Sequence, residues 1–226
     1  TLAATALTGD GSGLTGITTA GGSPTAWTPD AQGNLYAGTD AGAASDADTL
    51  YNIALGACAG KELNSGDYNV FLGQCAGKDV TSGASNVIIG CHAGLKVTGG
   101  ESNVYIGKEV VSACTSTGGE NVAIGYGAGK KSTTSTKNVF LGFYAASDGN
   151  LTGGYNVVAG ARAGRELTSG SYNTFLGNYA GCNNRTGSYN FAGGYKALGS
   201  GQVTGDKNVA IGDNAGYKLT SGQYNI

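Results

Sequence analysis

The chain has no methionine, two prolines, one tryptophan and one histidine in 226 residues, and only 12% of it is charged. With a formal net charge of −2 and no run of Lys or Arg, it lacks the basic footprint that holds nucleic acid or an anionic membrane surface. No stretch approaches the roughly 18 uninterrupted apolar residues of a spanning helix, and no basic-then-apolar leader opens the chain, so no membrane insertion is expected of this segment. The five cysteines form no close Cys-x-x-Cys pair and the lone His92 directly follows Cys91, a pattern that argues against a zinc site. No Gly-Gly-x-Gly-x-Asp series offers calcium ligands, and Asp and Glu are scattered without the paired carboxylates that glycoside cleavage needs. No cofactor, metal or catalytic residue is therefore expected, and the chain reads as non-enzymatic.

What is abundant is glycine, 43 residues, without the Gly-X-Y register of collagen. Its placement follows a repeat. Asparagine recurs at positions 34, 52, 69, 86, 103, 121, 138, 156, 173, 190, 208 and 225, always 17 or 18 residues apart, and glycine stands four residues after each one as far as Gly212. A period of this length is too short for a helix-turn-helix unit and suits one coil of a stacked β-structure. The expected fold is all-β: a parallel β-roll or β-solenoid of about eleven coils over residues 34–226, entering a twelfth, preceded by an irregular Gly/Ser/Thr-rich lead-in over 1–33. The opening Thr1 and the stop inside a repeat suggest a piece of a longer protein.

With each asparagine as offset zero, the columns are chemically distinct. Offsets one and three are aliphatic, as in Val122 and Ile124, and are expected to form the buried face of a first strand. Offset two would then point outward, yet Phe71, Phe140 and Phe175 share it with Ala, Ile, Val and Tyr and with no charge. An apolar outer column predicts burial against another surface, and the economical partner is the same chain about a three-fold axis. Offset seven is alanine in nearly every coil, which predicts a narrow, pinched second strand. The turn that follows carries Thr-Ser-Gly or a relative of it, as in Thr81-Ser82-Gly83.

The asparagines, Asn69, Asn86, Asn103, Asn121, Asn138, Asn156, Asn173, Asn190 and Asn208 among them, are expected to stack as an internal amide ladder, since one amide both donates and accepts. Tyrosine precedes several of them, and Tyr155, Tyr172 and Tyr189 lie in three consecutive repeats. That row is the candidate surface contact for a host cell-surface glycan or protein; the alternative is ring packing over the turn. Cys58 and Cys75 share offset six in successive repeats, near enough for a disulfide if their Cβ vectors converge.

Asn121-Val-Ala-Ile-Gly125 and Asn208-Val-Ala-Ile-Gly212, each followed by Ala-Gly at offsets seven and eight, resemble the repeats of trimeric autotransporter adhesin heads and of phage tail-fibre and tailspike proteins. The opening Leu7-Thr-Gly-Asp-Gly-Ser-Gly-Leu-Thr-Gly-Ile17 is similar to segments of such phage fibres. The resemblance implies a homotrimeric β-roll serving as shaft or head of a phage tail fibre at the virion surface. The alternative is a bacterial cell-surface adhesin head or a self-assembling extracellular filament. These repeats are longer than the usual adhesin-head repeat, and no receptor-binding residue carries over.

Overall fold

A computed structural model describes residues 29–226; residues 1–28, most of the expected lead-in, lie outside the described residues. Each repeat forms one coil containing one three-residue strand: β1 (Leu35–Ala37), β2 (Ile53–Leu55), β3 (Val70–Leu72), β4 (Val87–Ile89), β5 (Val104–Ile106), β6 (Val122–Ile124), β7 (Val139–Leu141), β8 (Val157–Ala159), β9 (Thr174–Leu176), β10 (Phe191–Gly193) and β11 (Val209–Ile211). They stack in sequence order as one parallel eleven-stranded sheet, residue against equivalent residue, as in Val70↔Val87 and Phe71↔Ile88. The chain is an all-β parallel β-solenoid. Backbone bonds also join neighbouring coils in the turns, for example Cys75 N to Ala57 O at 2.8 Å and Gly77 N to Ala93 O at 2.9 Å. Each coil is thus hydrogen-bonded to the next around much of its path, as a solenoid requires.

The facing of the strands is the reverse of the sequence expectation. Offset two lies in the core, with Phe71, Ile88, Tyr105, Phe140 and Phe175 all buried, whereas offsets one and three face outward. The reason is the width of the coil. A three-residue strand turns two side chains to one side and one to the other, and an interior this narrow admits only the central one. Facing it across the interior are the offset-seven alanines, such as Ala59, Ala76, Ala128 and Ala180, all buried. Among the described residues no second strand forms there; the alanines sit in a turn.

Core volumes are matched between columns. A Cβ on Gly77 or Gly181, at offset eight, would stand 2.6 Å from the rings of Phe71 and Phe175. Where offset two shrinks to Ala192 and Ala210, the buried Leu198 at offset eight of the first of these coils packs over Gly216 of the second and fills the space beside both. The three coils that carry a larger residue there, Val111, Ala146 and Leu198, begin at Asn103, Asn138 and Asn190 and have 18 residues. In these coils the next inward residue moves from offset eleven to thirteen, pairing Val97 with Ser116, Ser132 with Leu151 and Asn184 with Val203. The extra residue is taken up in the turns, and strand register is unbroken.

The glycine at offset four has two causes. Gly125 has φ of 130°, which L side chains rarely adopt, and a Cβ on it would stand 2.5 Å from the carbonyl oxygen of Gly142. Positive φ is not confined to glycine. The residue before each asparagine and the residue at offset six are left-handed even when they are Tyr68 (58°), Cys75 (54°) or Arg162 (55°). Non-glycine residues do this only a few per cent of the time in ordinary folds. Here the corners impose it, and the coil-to-coil hydrogen bonds of those same residues, such as Tyr68 N to Leu50 O at 3.1 Å, hold it.

Candidate functional site

The asparagine column is buried from Asn34 to Asn208. Oδ1 of Asn69 accepts the backbone N–H of Asn86 at 2.9 Å and its Nδ2 at 3.0 Å, and the same Nδ2 donates to Gly100 O at 2.8 Å. Equivalent bonds join Asn103 to Asn86, Asn121 to Asn103, Asn156 to Asn138, Asn173 to Asn156 and Asn208 to Asn190. Asn190 reaches Asn173 through its backbone N–H alone, at 2.9 Å. Each amide is thereby satisfied inside the protein, leaving no free group for a ligand.

Outside, the offset-one and offset-three columns make a strip mostly of Val, Ile and Leu along the whole sheet, with Phe191, Ala37, Ala159 and Gly193 in it and Thr174 its only polar side chain. Val157 and Leu176 are each 40% exposed. At about 4.8 Å per coil the strip is about 50 Å long, and its two columns stand about 7 Å apart. Its footprint of roughly 350 Å² equals the largest contiguous apolar patch of a typical monomer, the kind of patch that is often functional.

Two aromatic rows border this strip. Before the strands, Tyr155 and Tyr172 stack at 4.7 Å with planes 5° apart, and Tyr172 and Tyr189 at 4.9 Å and 3°. Lys137 Nζ lies 5.3 Å from the Tyr155 ring centroid, closing one end of the stack. The inner ring faces cover one another, so the row offers mainly edges and a line of hydroxyls. After the strands, offsets five and six carry Tyr126, Phe143, Tyr144, Arg162, Tyr179, Tyr195 and Lys196, a cluster that the sequence pattern concealed because equivalent positions elsewhere are Thr39, Ala57, Gln74 or Asp213. Phe143 and Tyr144 meet edge to face at 4.7 Å, and the Arg162 guanidinium lies 5.9 Å from the Phe143 centroid and 5.5 Å from that of Tyr179, whose hydroxyl it also contacts.

A shallow polar groove of about 360 Å³ is lined by Lys131, Asp148, Asn150, Glu166, Thr168 and Arg185. Asp148 and Glu166 share offset ten in consecutive coils, so these carboxylates are not in unrelated columns as the sequence suggested. Arg165 bridges them, with Nε 3.2 Å from Asp148 Oδ2 and Nη2 3.1 Å from Glu166 Oε1, and Arg185 lies 3.0 Å from Glu166 Oε2. Burial would raise the Glu166 carboxyl, but hydrogen bonds from Arg185 and Arg165 outweigh it and hold it below the usual range. Glu166 is an ionised salt-bridge partner; a general acid for glycoside cleavage needs the opposite shift.

The five cysteines are free thiols, Cys182 buried and the others half-buried. Cys58, Cys75 and His92 follow one another at offset six, and burial pushes the Cys75 thiol up. Among the described residues no group of three His, Cys, Asp or Glu side chains is placed to hold a metal ion, and no helix is long and apolar enough to cross a membrane. No protein-family profile, curated protein or solved structure matches the chain.

Proposed function

We propose that the chain is a structural fibre segment, the shaft or head of a phage tail fibre, in which three copies pack in parallel on their aliphatic strips. The observation that carries this reading is the strip itself: an uncharged face along every coil that a lone chain leaves in water. Parallel copies in register bring each row against its own equivalent at the same height, and cyclic symmetry closes the assembly without leaving an apolar edge. The interior adds rigidity through the buried amide ladder and the matched core volumes. The repeat Asn-Val-Ala-Ile-Gly supports the same reading by its likeness to trimeric adhesin heads and phage fibres. Such a rod supplies reach and repetitive display, at the virion surface or, in the bacterial version of this reading, at a cell surface. The Tyr155, Tyr172 and Tyr189 row is its candidate host contact.

Light scattering on the purified chain tests the assembly. A mass of three chains, falling to one when Val104 and Val122 are both changed to Lys, is the expected result. A folded monomer before any substitution overturns it.

A further inference from the structure

Arg162 forms none of the seven ion pairs of the described residues, nor do Lys108 and Lys196. It lies instead among aromatic rings on a turn where the fold asks for none of these side chains. Offsets five and six of the four coils from Asn138 to Asn190 read Phe143-Tyr144, Ala161-Arg162, Asn178-Tyr179 and Tyr195-Lys196, with no carboxylate. Down the offset-six column, aromatic and cation alternate at the coil spacing. Beside it, at offset five, Phe143 is 47% exposed and Tyr195 45%, so this turn keeps apolar surface in water. Lys196 Nζ stands 4.9 Å from the Tyr195 centroid. Edge-to-face contacts among Tyr126, Phe143 and Tyr144, at 4.7 and 5.1 Å, fix the shelf before any ligand arrives.

We infer that this surface is a binding site for an acidic polysaccharide, with Tyr195 receiving the apolar face of a sugar ring, Phe143, stacked on Tyr126 and lying under the Arg162 guanidinium, holding that guanidinium in place, and Arg162 and Lys196 pairing with the carboxylates that the sugar rings carry. The site rests on the reading of the rod as a display surface and names its ligand class. Charge supports the sign of the ligand. Over residues 91–200 there are nine Lys or Arg against five Asp or Glu, a balance of +4 in a chain whose total is −2. Spacing supports its kind. Rungs about 4.8 Å apart do not match an extended peptide, whose same-side side chains recur about every 6.8 Å. A pyranose with its glycosidic oxygen advances by about one rung. Arg suits the role because its planar fork pairs with a carboxylate while its face stays stacked on an aromatic ring.

The test is calorimetric titration of the full chain with oligogalacturonate, beside neutral dextran oligomers and poly-glutamate, for the parent, Arg162→Gln and Phe143→Ser. The expected result is saturable binding to oligogalacturonate that weakens with salt and falls at least tenfold in each variant, with melting temperatures unchanged. Absence of oligogalacturonate binding, or equal binding by all three proteins, overturns the site. Tighter binding to poly-glutamate would make the partner an acidic protein and also overturns it. Binding to dextran alone removes the acidic class while leaving the display role, and the oligomeric state is read separately by light scattering.

Discussion

The carboxylate of Asp30 accepts the backbone N–H of Asn34 at 2.8 Å and its side-chain Nδ2 at 3.2 Å, engaging the same two donors that Asn86 presents to Asn69. Asp30 therefore stands where a preceding coil's asparagine would, and as a carboxylate it needs no donor of its own on that side. Terminal repeats of solenoids are atypical because they must end a stack. Replacing Asp30 by Ala is expected to cost about 1 kcal/mol, felt as faster amide exchange at Asn34 and Leu35 while exchange in the central coils is unchanged. Asn121→Leu in mid-ladder should cost about 3 kcal/mol or more, since it orphans the backbone N–H of Asn138 and the carbonyl of Ser135 and removes one acceptor of Asn138 Nδ2. Equal effects at the two sites would mean that the ladder does not carry stability along the rod.

Asn184 is buried with both side-chain polar atoms lacking a partner, in a column that elsewhere holds Leu63, Val80, Val97 and Leu167. An unsatisfied buried amide costs about 1–3 kcal/mol. Asn184→Leu is accordingly expected to stabilise the chain by an amount in that range, measured by denaturant unfolding at the unchanged slope. A loss of stability would show that the amide is satisfied by a buried water.

Ala128 lies in the offset-seven column, fully buried. Ala128→Leu should destabilise by about 1–3 kcal/mol per chain through overpacking. Neighbouring coils cannot move apart to make room, because Ala128 O itself accepts the N–H of Val111 at 3.1 Å. An unchanged melting temperature would place unfilled space in the core opposite it.

How much of this was legible in the sequence depended on whether a column had one chemistry. The asparagine ladder and the alanine column could be read because a single residue type recurs. The facing of Val122-Ala123-Ile124 could not, because all three residues are apolar and strand parity is invisible without a polar outer position. Positive φ at offset six was hidden for a related reason: Cys, His, Glu, Arg, Lys and Tyr occupy most of it, and only Asp40, Gly127 and Asn214 there are the usual left-handed residues. The shared column of Asp148 and Glu166 was masked because offset ten elsewhere mixes Ala44, Lys96, Lys131 and Ser200 with Glu62 and Asp79. The two aromatic rows differ in the same way. Tyr155, Tyr172 and Tyr189 precede the marker residue, whereas Phe143, Arg162 and Tyr195 alternate among types with no common character.

Lys130 Nζ stands 2.7 Å from Glu109 Oε2, bridging the coils of Asn121 and Asn103. The hydrogen bond from Lys130 is the main cause that holds the Glu109 carboxyl below its usual range. A depressed carboxylate stabilises the fold above its unfolded pKa, and that contribution is lost as pH falls through the lowered folded value. Both side chains are partly exposed, so the contribution is no more than about 1 kcal/mol. Glu109→Gln should therefore lower stability slightly at neutral pH and converge with the parent in acid. A difference that persists at low pH would assign the effect to packing.

The stacked tyrosines separate attachment from architecture. Tyr155→Ala, Tyr172→Ala and Tyr189→Ala together remove two ring pairs, each worth about 0.5–1.5 kcal/mol, from a row that is mostly exposed. The solenoid tolerates this, since Ser85 and Ser102 hold the same corner with the same positive φ. If the row is the host contact, the triple variant should adsorb more weakly to host cells while keeping its coil register and its mass in solution. Its affinity for oligogalacturonate should not change, because Arg162 and Phe143 lie across the strands from it. Loss of both activities would mean one continuous surface bordering the aliphatic strip. Unchanged adsorption would reduce the tyrosines to corner packing and leave the Arg162 column as the contact to pursue.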